Sequence, residues 1–352
     1  MDAKENAVAR RDGAVDLVKC LAICAVLFIH CCSGHFGNYE VGSNRWLAAA
    51  FYGSVSRWAV PAFLMCSGAL MNDPNKDIPL KKLFSRYILR FVAALAAWAA
   101  FYELFRMFTL RGSAPVGTLL RDAASNLFYG TTYYHLYYFW FVFVLYLTLP
   151  LTRLVVRYAS EAEMRYLLAI WFLSGGVLRT FQYFWPLNRM KTSLMYLSIS
   201  REVLCLGLGL LGWYMRVHPP KRCVGGILLF AAGFAVTMGA TCLRSIRSGA
   251  LDQMFLDGFG LFALMMAVGV FRVCQWIAGR WAQVPGVVSF VSGASFCVYL
   301  IHPFFQYLAV PGRFLAMPVY WAVPLQVAAL LVLSLAAYLV LRRIPLVKRW
   351  LI

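Results

Sequence analysis

The sequence predicts an all-α, polytopic membrane bundle of about ten transmembrane helices, one domain over residues 1–352 with both termini cytoplasmic. Three observations lead there. The chain is short of charge, its apolar stretches recur at membrane-spanning length, and its basic residues gather between those stretches. Hydrophobic residues make up 62% of the 352 and charged residues only 13%, with a mean hydropathy of +0.70. Soluble domains carry about 25% charged residues, so this chain lacks the side chains to cover a globular surface in water. A bilayer accepts an apolar exterior, provided each backbone segment closes its own hydrogen bonds.

A spanning helix needs about 20 mainly apolar residues. Such runs fall near residues 15–33, 47–71, 84–108, 134–156, 165–185, 198–216, 223–243, 252–276, 286–309 and 319–341. Polar or Pro-bearing segments punctuate them, among them Asn72-Asp73-Pro74-Asn75-Lys76-Asp77 and His218-Pro219-Pro220. Ten spans use up the chain and leave no room for a separate extramembrane domain. No internal repeat or low-complexity tract is evident. Residues Met1 to Asp12 are polar and carry both signs, and no small-residue cleavage site follows the first apolar run.

The net charge of +19 raises the question of nucleic acid. The 33 Lys and Arg answer it by sitting in short clusters between apolar runs, as topology signals do. With the N-terminus inside, the cytoplasmic segments hold Lys4, Arg10, Arg11, Lys19, Lys76, Lys81, Lys82, Arg86, Arg90, Arg153, Arg157 and Arg165. They also hold Arg216, Lys221, Arg222, Arg272, Arg280, Arg342, Arg343, Lys348 and Arg349, leaving 12 of the 33 outside. That excess sets the orientation, and membrane lipids rather than nucleic acid are the expected surroundings. The ten Cys, such as Cys20, Cys24, Cys66 and Cys205, are scattered through apolar runs without zinc-type C-x-x-C spacing. They read as small buried hydrophobes, and no metal is expected.

Ionisable residues inside spans are costly and point to function. The first span carries Asp16, Lys19 and, eleven steps on, His30. Eleven residues are close to three helical turns, so Lys19 and His30 share a face roughly 16 Å apart along the axis. The plain alternative is that Lys19 snorkels to the headgroups and His30 bonds a neighbouring helix. Asp16 reads as a salt partner of Lys19 or a helix-start residue. The second span holds Arg57 near Pro61, and Ser67-Gly68, a pair that also suits close helix packing. Arg86 and Arg90, at i and i+4, would present paired guanidiniums on one helix face, fit for a phosphorylated ligand or for anionic lipid headgroups. The fourth span opens Tyr133-Tyr134-His135-Leu136-Tyr137-Tyr138, which suits an interfacial aromatic belt or a sugar face. Glu103, Arg106, Arg179, Arg201, Glu202 and His302 add to a polar outer half.

Four segments together resemble membrane-bound acyltransferase family 3. They are Val15-Asp16-Leu17-Val18-Lys19 through His30, Val60-Pro61 through Ser67-Gly68, Tyr134-His135-Leu136-Tyr137 with Leu145-Tyr146, and Ser295 through His302-Pro303. A basic residue, ten positions, then His is that family's first-helix signature. The chain looks most like the branch that O-acetylates bacterial surface polysaccharides such as enterobacterial common antigen. It departs from the pattern at Tyr137, where Trp is usual, and at Ala69, where an aromatic is usual.

The resemblance implies an O-acyltransferase of the bacterial inner membrane. It would move an acyl group, commonly acetyl, from cytoplasmic acyl-CoA to a hydroxyl of a cell-surface or lipid-linked saccharide. By the same resemblance the signature histidine falls on His30, its basic partner on Lys19, and the donor arginines on Arg86 and Arg90. His30 would be general base or transient acyl carrier. Arg57, Ser67 or a Tyr hydroxyl would steady the oxyanion, and Tyr134, His135, Glu103 and His302 would face the acceptor. The rival reading is a transporter of a small polar substrate or acyl group, against which the lack of visible inverted repeats counts. The acceptor sugar and the oligomeric state are not written in the sequence.

Overall fold

The computed structural model describes residues 11–110, 114–190, 196, 197, 199–309, 314 and 317–352, with residues 202 and 309 described by backbone only. Lys4, Arg10, the rest of the polar lead before Arg11, and the Glu202 side chain lie outside the described residues. Regular secondary structure within them is helical. Helix α1 (Gly13–Phe36) is capped by the Asp12 carboxylate, which accepts from the Val15 amide. A broken pair follows, α2 (Asn44–Val55) and α3 (Ala59–Met71), then α4 (Leu80–Thr109), which contains a π-helical turn at Leu83–Ile88. Next come α5 (Val116–Tyr129), α6 (Tyr137–Leu147) and α7 (Leu149–Tyr158), and α8 (Glu161–Trp171), which runs on through a π-helical Phe172–Leu178 to Phe181. The remainder is α9 (Arg201–Val217), α10 (Val224–Ser248), α11 (Leu261–Ala278), α12 (Gly286–Ala309), α13 (Val319–Leu341) and the short α14 (Pro345–Trp350).

Among the described residues, six helices are long and apolar enough to cross a membrane, or up to seven if the bent α5–α7 unit counts as one span. The molecule is thus a multi-pass helical membrane protein. The difference from ten apolar runs has local causes. Run 47–71 is interrupted by a turn at Ser56–Trp58, after which Pro61 sits in the first turn of α3, where its missing N–H costs nothing. Run 134–156 bends by 48° between α6 and α7, and α9 has only 17 residues. Helix α5 lies between the apolar runs and was not foreseen. Leu119 and Ala123 bury one face while Phe128 and Tyr129 are exposed, and it stops at Gly130, whose φ of 68° closes the helix in the left-handed region.

Polar contacts gather at two ends of the bundle. At one, Arg216 closing α9 meets Asp12 at 2.7 Å, Asp73 at 3.2 Å and the Ala69 carbonyl at 3.0 Å. Arg153 there donates to the carbonyls of Met71 and Asp73, and Arg90 to that of Ile352. Burial works against ionisation of Asp73, but the Asn75 amide and Arg216 outweigh it and hold the carboxyl below its usual range. At the other end Arg179 and Arg201 share Asp257, and Tyr52 Oη donates to the Tyr320 carbonyl at 2.9 Å.

Small residues let α3 and α9 touch backbone to backbone. A Cβ at Gly68 would fall 2.2 Å from the Gly209 Cα, and one at Gly212 only 2.0 Å from the Met65 carbonyl oxygen. Gly212→Ala is therefore expected to lower stability by about 1–3 kcal/mol. Gly239→Ala, at an exposed helical position with nothing within 4 Å, should leave it unchanged or slightly raised. Thermal unfolding of the detergent-purified variants measures both; equal midpoints would remove the close-contact account.

Candidate functional site

One cavity of about 410 Å³ runs between α1, α3, α4, α6 and α12. Helix α1 lines it with Lys19, Val26, Ile29 and His30, positions spaced so that one face of an α-helix presents them all. The basic residue and the histidine thus look into the same space, separated by the roughly 16 Å rise of eleven residues. Among the described residues Lys19 Nζ makes no ion pair or hydrogen bond. Asp16, one turn earlier, does not pair with it. Its carboxylate takes Arg11 Nε at 2.7 Å and the Ser292 hydroxyl at 2.6 Å, which straps α1 to α12 and leaves Asp16 off the cavity wall.

Helix α12 carries a polar stripe, Ser292, Ser295, Tyr299 and His302, spaced for one face. The first three line the cavity; of the stripe only His302 was expected as a site residue, although the spacing is legible in the sequence. Pro303 has no N–H, so the carbonyl of Tyr299 four residues back loses its helical donor. His302 Nδ1 lies 2.8 Å from that oxygen and 3.2 Å from the Val298 carbonyl. Both neighbours are acceptors, so Nδ1 carries the proton and Nε2 keeps its lone pair. Among the described residues Nε2 is buried with no partner.

Three imidazoles converge here. The His302 ring centroid is 5.0 Å from that of His30 and 5.6 Å from that of His135. His135, fully buried, lies on the cavity wall from the turn before α6, and its carbonyl accepts from the Tyr299 hydroxyl. Gln306 donates to the His30 carbonyl at 3.0 Å and accepts from Tyr134 Oη at 3.3 Å, while the Tyr134 ring lies 5.1 Å from the His30 ring. Gln306 was not foreseen from the sequence. Among the described residues no three His, Cys, Asp or Glu side chains are placed to hold a metal ion.

Other expected residues fall differently. Arg90, with Tyr87, Phe91 and Ala94, lines the Lys19 end, but Arg86 is exposed and off the wall. The π-helical turn over Leu83–Ile88 puts an extra residue into the helix at that point and cancels the simple i, i+4 register. Glu103 is buried away from the cavity, held by Arg106 at 2.9 Å and by Asn126. Arg57 also stays off the wall, donating to the Gly53 carbonyl at 3.2 Å. Ser67 lines the cavity, though its hydroxyl is given to the Phe63 carbonyl. Among the described residues Tyr138 lines it with a hydroxyl that makes no hydrogen bond.

The family model for the acyltransferase domain of family 3 matches residues 12–343. The chain belongs to the acyltransferase 3 family. The match takes in every helix lining the cavity, so the cavity is the candidate active site of a membrane acyltransferase, and the transporter reading is not favoured. No curated protein and no solved structure matches the chain.

Gly293 gives a direct probe of the cavity. It is exposed on the wall beside Ser292, and a Cβ there would meet nothing within 4 Å. Gly293→Leu is expected to fold with an unfolding midpoint at or above that of the parent, while filling cavity space and lowering acyl transfer at least tenfold. Full activity in a folded Gly293→Leu protein would place the reaction elsewhere.

Proposed function

We propose that this acyltransferase carries an acyl group, acetyl in the simplest case, from acyl-CoA to a hydroxyl of a cell-surface or lipid-linked saccharide. The observation that carries the reading is the single cavity with Lys19 and Arg90 at one end and His30 and His135 at the other. Lys19 and Arg90 would take the nucleotide phosphates by charge-assisted hydrogen bonds. The pantetheine arm would then extend along the cavity and set the thioester beside His30. In the same proposal the chain crosses the bacterial inner membrane ten times, with the broken and short helices α2–α3, α6–α7, α8 and α9 completing the count. Both termini and the Arg216–Asp12–Asp73 cluster then lie in the cytoplasm, in keeping with the excess of basic residues there.

The chemistry is one displacement. His30 removes the proton from the acceptor hydroxyl as its oxygen attacks the thioester carbonyl. The Tyr138 hydroxyl donates to the oxygen that gains charge. The C–S bond then breaks, the new ester forms, and the imidazolium returns its proton to the CoA sulfur. Donor and acceptor can meet at one imidazole from opposite ends of the cavity, which makes an acyl-histidine carrier unnecessary. Gln306 and Tyr134 fix the His30 backbone and ring, and the His302 lone pair faces the cluster without another group to serve.

Release of CoA from acetyl-CoA, with and without extracted surface glycan, tests this. His30→Ala should lose the glycan-dependent release by a factor on the order of 10²–10⁴ while binding CoA as before. Normal turnover in that variant would end the mechanism. On the donor side, Arg90→Ala is expected to raise the KM for acetyl-CoA about tenfold or more at nearly constant kcat, with Arg86→Ala much milder. Equal effects of the two would mean that a general surface charge, not the cavity wall, recruits the donor.

A further inference from the structure

A second cavity, of about 220 Å³, lies at the end of the bundle opposite Lys19 and Arg90. Arg179, Thr180 and Tyr183 enter it from the extension of α8, Arg201 from the start of α9, and Gln253, Met254, Phe255 and Asp257 from the segment joining α10 to α11. Its charge is unbalanced. The Nη2 atoms of Arg179 and Arg201 both reach the same oxygen, Asp257 Oδ2, at 3.2 Å each, while Oδ1 accepts from the Phe259 amide at 3.1 Å. Neither guanidinium therefore forms the two-pronged pair that arginine makes with a carboxylate or phosphate. Among the described residues Arg179 Nε is buried with no acceptor. Thr180 contributes no free donor, since its hydroxyl is given to the Gly176 carbonyl.

The remaining wall is aromatic. Phe255 stacks on Phe262 at 5.8 Å, Phe184 packs on Phe255 at 6.0 Å, and Tyr183 is exposed beside them. Rings next to uncommitted arginine donors fit a sugar that carries an anion. The segment beside Asp257 also packs against the turn that carries Arg57. A Cβ at Gly258, next to Asp257, would lie 3.4 Å from the Arg57 carbonyl. Arg57 is an electrostatic neighbour of both Asp257 and His30, and Tyr137, on the histidine cavity wall, is one of Asp257 and Arg201.

We infer that the Arg179–Arg201 cleft binds the negatively charged group, carboxylate or phosphate, of an acidic saccharide and so holds the acyl acceptor beside His30. The acceptor role rests on the acyl-transfer reading above; the anion site does not. Binding to the full chain in detergent is measured by thermophoresis, with a glucuronate-containing disaccharide, glucose 1-phosphate and neutral maltose as probes. At least one anionic probe is expected to bind, more weakly as salt rises, and maltose is not.

Arg201→Gln and Arg179→Gln should each weaken that binding at least tenfold and leave coenzyme A binding unchanged. Asp257→Asn, which frees both guanidiniums, should strengthen it, an outcome that a merely structural role for the cluster would reverse. Preference for the uronate identifies a carboxylated acceptor, and preference for the phosphate a phosphorylated or lipid-phosphate-linked one. Absence of binding by both anions, or parental binding in Arg201→Gln, overturns the cleft. Anion binding without glycan-dependent CoA release would keep the cleft and remove the acyl-transfer reading.

Discussion

The hydrogen bond from Ser292 to the Asp16 carboxylate sets the register on which the site depends. Asp16 is buried near the start of α1, and Ser292 lies near the start of α12. A hydrogen bond to a charged group contributes about 1.5–3 kcal/mol, enough to fix how the two helices slide past one another. The Arg11 partner is half exposed and adds less, because water screens it. With that register set, the Lys19–Val26–His30 face of α1 meets the Ser292–Ser295–Tyr299 face of α12, and the space between polar stripes becomes a cavity. Asp16 spends itself on the neighbouring helix, so Lys19 stays uncommitted.

Backbone accounting does similar work deeper in the bundle. In an apolar surround every freed carbonyl has to find a donor. Pro303 frees the Tyr299 carbonyl, His302 answers it with Nδ1, and the tautomer of a buried imidazole follows from the absence of one N–H. The Tyr299 hydroxyl in turn takes the His135 carbonyl, and Tyr102 Oη takes that of Leu300 at 2.6 Å. Helices α4, α6 and α12 are thereby pinned around the three rings by bonds to backbone oxygens, which leaves ring nitrogens available.

What the sequence disclosed and what it hid divide along physical lines. The placement of Lys19 and His30 on one wall was legible because an uninterrupted helix keeps its phase over eleven residues. Arg86 was misplaced because a π-helical turn changes that phase and has no residue signature comparable to Gly or Pro. Glu103 looked like a site residue for being a carboxylate in a span, but its partner Asn126 sits on α5, a helix outside the apolar runs. The number of apolar runs was readable, whereas the breaks at Ser56–Trp58 and between α6 and α7 fall inside apolar runs and were not. The Asp257 cluster joins residues 78 and 56 positions apart, a juxtaposition no local pattern encodes.

Arg57 sits in the turn between α2 and α3, outside either helix and off the wall of the histidine cavity. The turn instead keeps it near His30 on one side and Asp257 on the other. A full-length helix would satisfy its own backbone more simply, so the interruption has a local cost that the surrounding contacts must offset. What it provides is a cation between the His30 imidazole and an arginine–aspartate cluster. In the proposed reaction, negative charge that develops during acyl transfer, or that arrives with an acidic acceptor, would be stabilised on the side of the histidine away from Lys19. Lys19 and Arg57 would then bracket His30 in that reaction, one from the cavity wall and one from behind it.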